Sequence, residues 1–161
     1  MFSPLQDLYI LMINFRKKLL ALVLACGLLI NLAIVPSAIA LGTSPLSGLV
    51  TLKNLAKNST PYQEAIANGK PTLIEFYADW CGTCQSMSNT VENLEHEYGD
   101  RVNLVMLDID DPQWDDLGQE YGVTGIPQYN FLNAEELKIE SFIGRVPQSV
   151  LAQAFDRLLA D

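Results

Sequence analysis

Cys81 and Cys84 stand three positions apart, directly after the mostly apolar run Ile74-Glu75-Phe76-Tyr77-Ala78 and the pair Asp79-Trp80. A Cys-x-x-Cys pair opening a helix can cycle between dithiol and disulfide. Unpaired backbone N–H groups and the positive end of the helix dipole favour a thiolate on the first sulfur, Cys81. The second, Cys84, lies one turn in, close enough to attack a mixed disulfide and release the partner. Cys81 is thus the candidate nucleophile and Cys84 the candidate resolving thiol. Competing chemistries fit less well. Zinc needs two further ligands, and the only histidine, His96, falls about three helical turns on among glutamates, where a surface position is expected. A c-type haem attachment needs histidine immediately after the second cysteine, where this chain has Gln85. A static structural disulfide remains open, although so short a loop adds little entropic stabilisation. The dithiol carries its own electrons, so neither metal nor cofactor is expected.

The elements that must position the pair follow from pattern. Pro71 opens a run, Thr72 to Ala78, that reads as a strand buried on both faces. After the cysteines, Met87, Val91, Leu94 and Tyr98 recur on one helical face with Glu92, Glu95 and Glu97 opposite, and Gly99 ends the helix. Val102 to Ile109 reads as a second strand, and Asp111-Pro112 opens a helix that ends by Tyr121-Gly122. Strands Pro127 to Leu132 and Lys138 to Ile143 are joined by the turn Asn133-Ala134-Glu135-Glu136, and Pro147 to Leu159 forms a closing amphipathic helix. Upstream, Leu49-Val50-Thr51-Leu52 reads as a short edge strand, and Thr60-Pro61 as the capped start of a helix closed by Asn68-Gly69. Parallel strands with helical crossovers followed by an antiparallel hairpin predict an α/β fold: a central mixed sheet with helices on both faces.

The chain has 161 residues, 49% of them hydrophobic, which suits one packed domain with a short appendage. Net charge is −9; Arg16, Lys17 and Lys18 against Asp7 make the first eighteen residues +2, leaving −11 for the rest. So acidic a surface argues against nucleic acid as a partner. Residues 19–41 are almost wholly apolar, long enough to span a bilayer core of about 30 Å. They are read as a transmembrane signal anchor. Ala38-Ile39-Ala40 also fits a cleaved signal, and Val23-Leu24-Ala25-Cys26 loosely fits a lipoprotein signal. In each reading the basic cluster stays cytoplasmic and the rest crosses. The expected organisation is a cytoplasmic segment, 1–18; a transmembrane anchor, 19–41; a turn-rich linker, 42–48; and the working domain, 49–161.

Trp80-Cys81-Gly82-Thr83-Cys84 after a buried strand, with Gly125-Ile126-Pro127 some forty residues on, resembles the thioredoxin family over roughly Leu49 to Leu159. Glu-Phe-Tyr-Ala-Asp-Trp-Cys, the strand leading to Trp114, Gly144-Arg145 with Pro147, and the preceding apolar segment are most similar to the membrane-anchored, lumen-facing thioredoxin-like proteins of cyanobacteria and chloroplasts, the TxlA type. The resemblance implies the thioredoxin fold and a protein-disulfide reductase. It makes Pro127 a cis-proline beside the cysteines, gives Ile126 a backbone that pairs with an extended client segment, and places Trp80, Gly82 and Thr83 on the docking surface. Glu75 takes the place of the family's buried aspartate and would exchange a proton with Cys84. The chain departs from the family at Thr83, where proline is usual between the cysteines; at Met106, where lysine is usual; and at Asn89, where a kink-forming proline is usual. Thr83 suggests a less strongly reducing site. The implied clients carry disulfides or haem-binding cysteines, as apocytochromes do, which ties the resemblance to cytochrome b6f assembly. The implied electron donor is a CcdA-like membrane thiol carrier. Two rivals stay open: an oxidase or isomerase using the same residues, and a tethered assembly module that binds clients without turnover.

Overall fold

Strand-forming residues with no polar alternation build the centre of the sheet, and the cysteines leave from its end. The structure, a computed structural model, describes residues 12, 14, 16–18 and 45–160. The chain divides into two compact units, Met1–Ala40 and Leu41–Asp161. The apolar segment 19–41, Cys26, the Ala38-Ile39-Ala40 site and residues 42–44 of the expected linker lie outside the described residues, as does most of 1–18. Among the described residues no helix is long and apolar enough to cross a membrane.

In chain order the second unit contains α1 (Pro45–Asn58), α2 (Tyr62–Ala67), β1 (Thr72–Tyr77), α3 (Gly82–Tyr98), β2 (Asn103–Asp108), a 3-10 turn (Pro112–Trp114), α4 (Asp115–Glu120), β3 (Gln128–Leu132), β4 (Lys138–Ile143) and α5 (Gln148–Leu158). The sheet order is β2-β1-β3-β4. β1 runs parallel to β2, with Glu75 opposite Met106, and antiparallel to β3, with Glu75 opposite Tyr129; β3 and β4 form the terminal antiparallel hairpin. Every residue of β1 is buried, Thr72 and Glu75 included, as a central strand covered on both sides requires.

Alternation along the strands divides the core in two. On one side Leu73, Tyr77, Met106, Tyr129 and Phe131 meet α1, α3 and α5 through Leu52, Met87, Val91, Leu94, Leu151 and Phe155. On the other, Ile74, Phe76, Val105, Leu107 and Leu132 pack with Ala65, flanked by Tyr62, Trp114 and Tyr121. The far end of α3 is pinned by aromatic contacts: Tyr98 stacks on Phe155 at 4.7 Å between centroids, and Phe155 meets Phe131 edge-on at 5.1 Å. Such pairs add roughly 0.5–1.5 kcal/mol each beyond the area they bury.

The structure corrects four expectations. Leu49-Val50-Thr51-Leu52 is no edge strand but part of α1, so the sheet has four strands among the described residues. Helical spacing explains this outcome, because Gly48, Leu52 and Leu55 fall at i, i+4 and i+7 and all three are buried. The same helix reaches back to Pro45, into the stretch read as a linker. At α2 the cap residue is Pro61 rather than Thr60 and makes no side-chain cap; its carbonyl instead accepts from the N–H groups of Glu64 and Ala65. The helix expected from Asp111-Pro112 divides into the 3-10 turn and the six-residue α4.

α1 lies directly on α3. Ser88 Oγ donates to the Gly48 carbonyl at 3.0 Å, and a Cβ at Gly48 would collide with the backbone carbonyl of Gln85. Alanine in a helix interior ordinarily gains about 1 kcal/mol over glycine, but a backbone carbonyl cannot yield as a flexible side chain can. Gly48→Ala is therefore expected to lose roughly 1–3 kcal/mol as the two helices are forced apart, measured by urea denaturation with the disulfide intact; equal or greater stability would show that α1 is free to shift.

Candidate active site

β1 ends at Tyr77, and Ala78 to Trp80 turn the chain into α3. Cys81 N–H donates to the Ala78 carbonyl at 3.1 Å, and Gln85 closes the turn twice: its Nε2 donates to Asp79 O at 2.7 Å and its N–H to Cys81 O at 3.0 Å. Cys81 is thereby fixed as the cap residue of α3, in extended conformation, with its Sγ accepting from the Cys84 N–H at 3.0 Å. The two cysteines form a disulfide with Cα atoms 5.2 Å apart. Cys81 keeps 6% exposure and Cys84 none, so an incoming disulfide reaches Cys81 first. Once the bond is reduced, the N–H aimed at Sγ and the helix terminus behind it stabilise a thiolate at Cys81.

The loop before β3 supplies the opposite wall. The Ile126–Pro127 peptide is cis, and the Ile126 carbonyl lies 3.7 Å from Cys81 Sγ. Pro127 is buried, and its carbonyl accepts from Gly144 N–H at 2.8 Å, tying this loop to the end of β4. Gly144 sits at φ +79°, a conformation that suits glycine. Around Cys81, Gly82 is exposed, Thr83 and Ile126 are half-buried, and Trp80 is 65% exposed. A flat, partly apolar surface results.

Trp80 is held in place by a partner that sequence reading missed: its Nε1–H donates to Asp110 Oδ2 at 2.7 Å. The acidic run around Asp110 reads as a solvated loop, and nothing in the spacing of two residues thirty positions apart links them. Asp79 next to it forms an ion pair with Lys53 of α1 at 2.7 Å. His96 is exposed on α3, and no cluster of three potential metal ligands exists among the described residues.

Glu75 lies between Leu73 and Tyr77 on the α3 side of β1, fully buried, and neither carboxylate oxygen has a hydrogen-bond partner. Burial alone pushes its pKa up to about 8. Met106 stands opposite it on β2, so no cation compensates from that strand. Tyr77, on the same face, is pushed up to about 12, chiefly by burial and then by Asp108, Asp79 and Glu75. The structure thus gathers Cys81, Cys84, Trp80, Gly82, Thr83, Ile126 and Pro127 at one surface, with Glu75 in the core on the side that α3 covers. Chemically, the assembly can exchange disulfides at Cys81 and hold a proton on a buried carboxyl.

A four-stranded mixed sheet with a cysteine pair capping the helix after its central strand defines the thioredoxin class of thiol–disulfide oxidoreductases. The thioredoxin family profile matches residues 53–157, and the chain belongs to that family. The chloroplast thioredoxin-like protein HCF164 of Oryza sativa is 48% identical over 101 residues, which make up 63% of this chain and 38% of that protein's length. The thiol:disulfide interchange protein TxlA of Synechococcus elongatus is 41% identical over 138 residues, 86% of this chain and 70% of its own length. Among solved structures, the germline-specific thioredoxin Deadhead of Drosophila melanogaster superposes with a TM-score of 0.53 at 28% identity, covering 60% of this chain and 90% of that one. The chain therefore spans well under half of the rice relative and somewhat more than two thirds of TxlA.

Glu75 gives a signed test. An unfolded glutamate ionises near 4.5 and the folded one near 8, so the folded state holds the extra proton between those values. The ionisation penalty of its burial is absent below about pH 4.5, grows as pH rises, and is complete above about pH 8. Glu75→Gln should therefore exceed the parent in stability at pH 9 by roughly 2–5 kcal/mol, with most of that advantage gone at pH 5, in urea melts of the oxidised protein. Parallel stabilities at both pH values would contradict the burial of an ionisable carboxyl.

Proposed function

We propose that this chain is a membrane-tethered protein-disulfide reductase whose working domain faces a thylakoid lumen or a periplasm. The observation that carries the reading is the capping geometry: the solvent-reachable sulfur of the pair is the one that a backbone N–H and a helix terminus stabilise as thiolate. The orientation rests on the basic cluster Arg16, Lys17, Lys18 preceding the apolar segment 19–41, and on similarity to a chloroplast protein and to TxlA. A domain in such a compartment needs electrons delivered across the membrane, and a CcdA-like thiol carrier would supply them. Clients would bear disulfides or oxidised haem-binding cysteines, and the chain would act in cytochrome maturation and cytochrome b6f assembly.

The cycle follows from the site. Cys81 thiolate attacks one sulfur of a client disulfide, forming a mixed disulfide and releasing the client's other sulfur as thiolate. Cys84 then loses its proton to the Glu75 carboxylate and attacks Cys81 Sγ; the second client sulfur leaves and takes up a proton. Two electrons have passed from the dithiol to the client. Burial lifts the Glu75 carboxyl to about 8, out of the ordinary carboxylate range and toward that of thiols, which makes it a stronger base for the Cys84 proton. Trp80, Gly82, Thr83, Ile126 and Pro127 form the client-binding surface, the Ile126 backbone pairing with an extended client segment.

Two measurements test this. Equilibration with glutathione should give a potential below about −200 mV, whereas a higher value would favour an oxidase or isomerase. Cys84→Ser in native membranes should accumulate mixed disulfides through Cys81 with clients and donor. A variant that traps nothing, together with retained function when both cysteines are serine, would leave a non-catalytic assembly role.

A further inference from the structure

Two strands present unpartnered polar groups to each other in the core. Tyr129 on β3 is the cross-strand partner of Glu75 on β1, and both are 0% exposed. Residues directly opposite in an antiparallel pair share a face, with Cβ atoms about 4.5–5.5 Å apart. Tyr129 therefore projects, like Glu75, to the side occupied by Cys84 and α3, as its membership of that half of the core shows. Its hydroxyl has no hydrogen-bond partner, and neither oxygen of Glu75 has one. A buried phenol and a buried carboxyl left on one face of adjacent strands without partners are each costly, and a hydrogen bond between them would satisfy both.

We propose that Tyr129 is a positioning residue for proton transfer, its phenol donating a hydrogen bond to the Glu75 carboxylate whenever that group ionises beneath Cys84. The inference rests on the reading of Glu75 as the group that exchanges a proton with Cys84. The geometry singles out this phenol among the groups around Glu75. Tyr77 is two residues along the same strand, and its oxygen is not among the buried unpartnered atoms. α3 and its cap bring Cys81, Cys84 and, at the far end, Tyr98 to this half of the core, while β2 presents Met106, with Asp108 at its end. On α1, Lys53 is engaged by Asp79, and on α5, Asp156 accepts from Tyr98 at 3.0 Å. Met106 leaves β2 without the cation that would otherwise steady the carboxylate, so β3 supplies a neutral donor instead. Burial and the neighbouring Glu75 both oppose loss of the phenol's proton, so it stays a donor throughout the working pH range.

Hydrogen bonding to the charged form lowers an acid's pKa, so removing the phenol oxygen should raise that of Glu75. The test uses the full reduced chain. Carboxyl-stretch infrared titration reports Glu75 directly, identified by its loss in Glu75→Gln, and the pH profile of reduction of a disulfide peptide reports the resolving step. Tyr129→Phe should move both midpoints up by about 1 pH unit and slow turnover several-fold at pH 7, while Tyr77→Phe moves neither. In a Glu75→Gln background Tyr129→Phe should add nothing to the rate. An unchanged infrared midpoint in Tyr129→Phe, or an equal shift in Tyr77→Phe, would overturn the proposal. In unsubstituted protein labelled with 13Cζ-tyrosine, the Tyr129 resonance should titrate with the Glu75 midpoint, and a flat resonance would overturn it without any variant having to fold. A parent protein that shows the infrared coupling but no peptide reduction would instead refute the reductase reading and leave the pairing intact.

Discussion

The chemistry of this fold hangs on one interaction, the backbone N–H of Cys84 directed at the sulfur of Cys81. It exists only because the first turn of α3 begins at a fixed point beyond β1, and several contacts converge to fix that point. Gln85 ties the turn to Asp79 and Cys81. Ser88 and Gly48 seat α1 on the same turns, and the buried stripe Met87, Val91, Leu94 and Tyr98 lays the helix on the sheet. At the far end Tyr98 stacks on Phe155, and the Arg101 guanidinium lies 5.3 Å from the centre of its ring. A helix so anchored does not need to reorganise when charge appears on Cys81, and this lack of reorganisation is what makes its dipole effective.

The core beneath the helix departs from ordinary packing rules in one place. β1 is otherwise apolar and fully covered, yet it carries Glu75, and the strand beside it carries Tyr129. Apolar residues at either position would make the domain more stable. Buried groups held at a thermodynamic cost cluster at sites of chemistry, because the same desolvation that destabilises a carboxylate brings its pKa close to that of a thiol. The surface is treated in the opposite way. Trp80, though largely exposed, is fixed by Asp110, so the surface beside Cys81 keeps a defined shape while remaining open to solvent.

Much of this was legible in the sequence. The unbroken run Thr72 to Tyr77 and the helical stripe from Met87 to Tyr98 are strong periodic signals, and the cysteine spacing is short enough to lie within one turn. The reading failed at Leu49-Val50-Thr51-Leu52, where a brief β-branched run obeys strand propensity locally. Only Leu55 and Gly48 on either side reveal the longer helical period, and only the tertiary contact with Gln85 explains the glycine. Asp110 and Tyr129 were illegible for a different reason: each acts on a residue far away in the chain, and their pairing is created by register. Tyr129 in particular looks like an ordinary aromatic strand residue until β3 is aligned against β1.

The capping geometry predicts that Cys81 is the stabilised thiolate and Cys84 the buried thiol behind it. Alkylation of the reduced protein with iodoacetamide across pH 4–10, with the two cysteines resolved by mass spectrometry, tests it most directly. Cys81 should react first, with a midpoint clearly below the free-cysteine value of about 8.5, while Cys84 stays unmodified through neutral pH. A Cys81 midpoint at or above that value, or preferential modification of Cys84, would show that the cap does not stabilise a thiolate at Cys81.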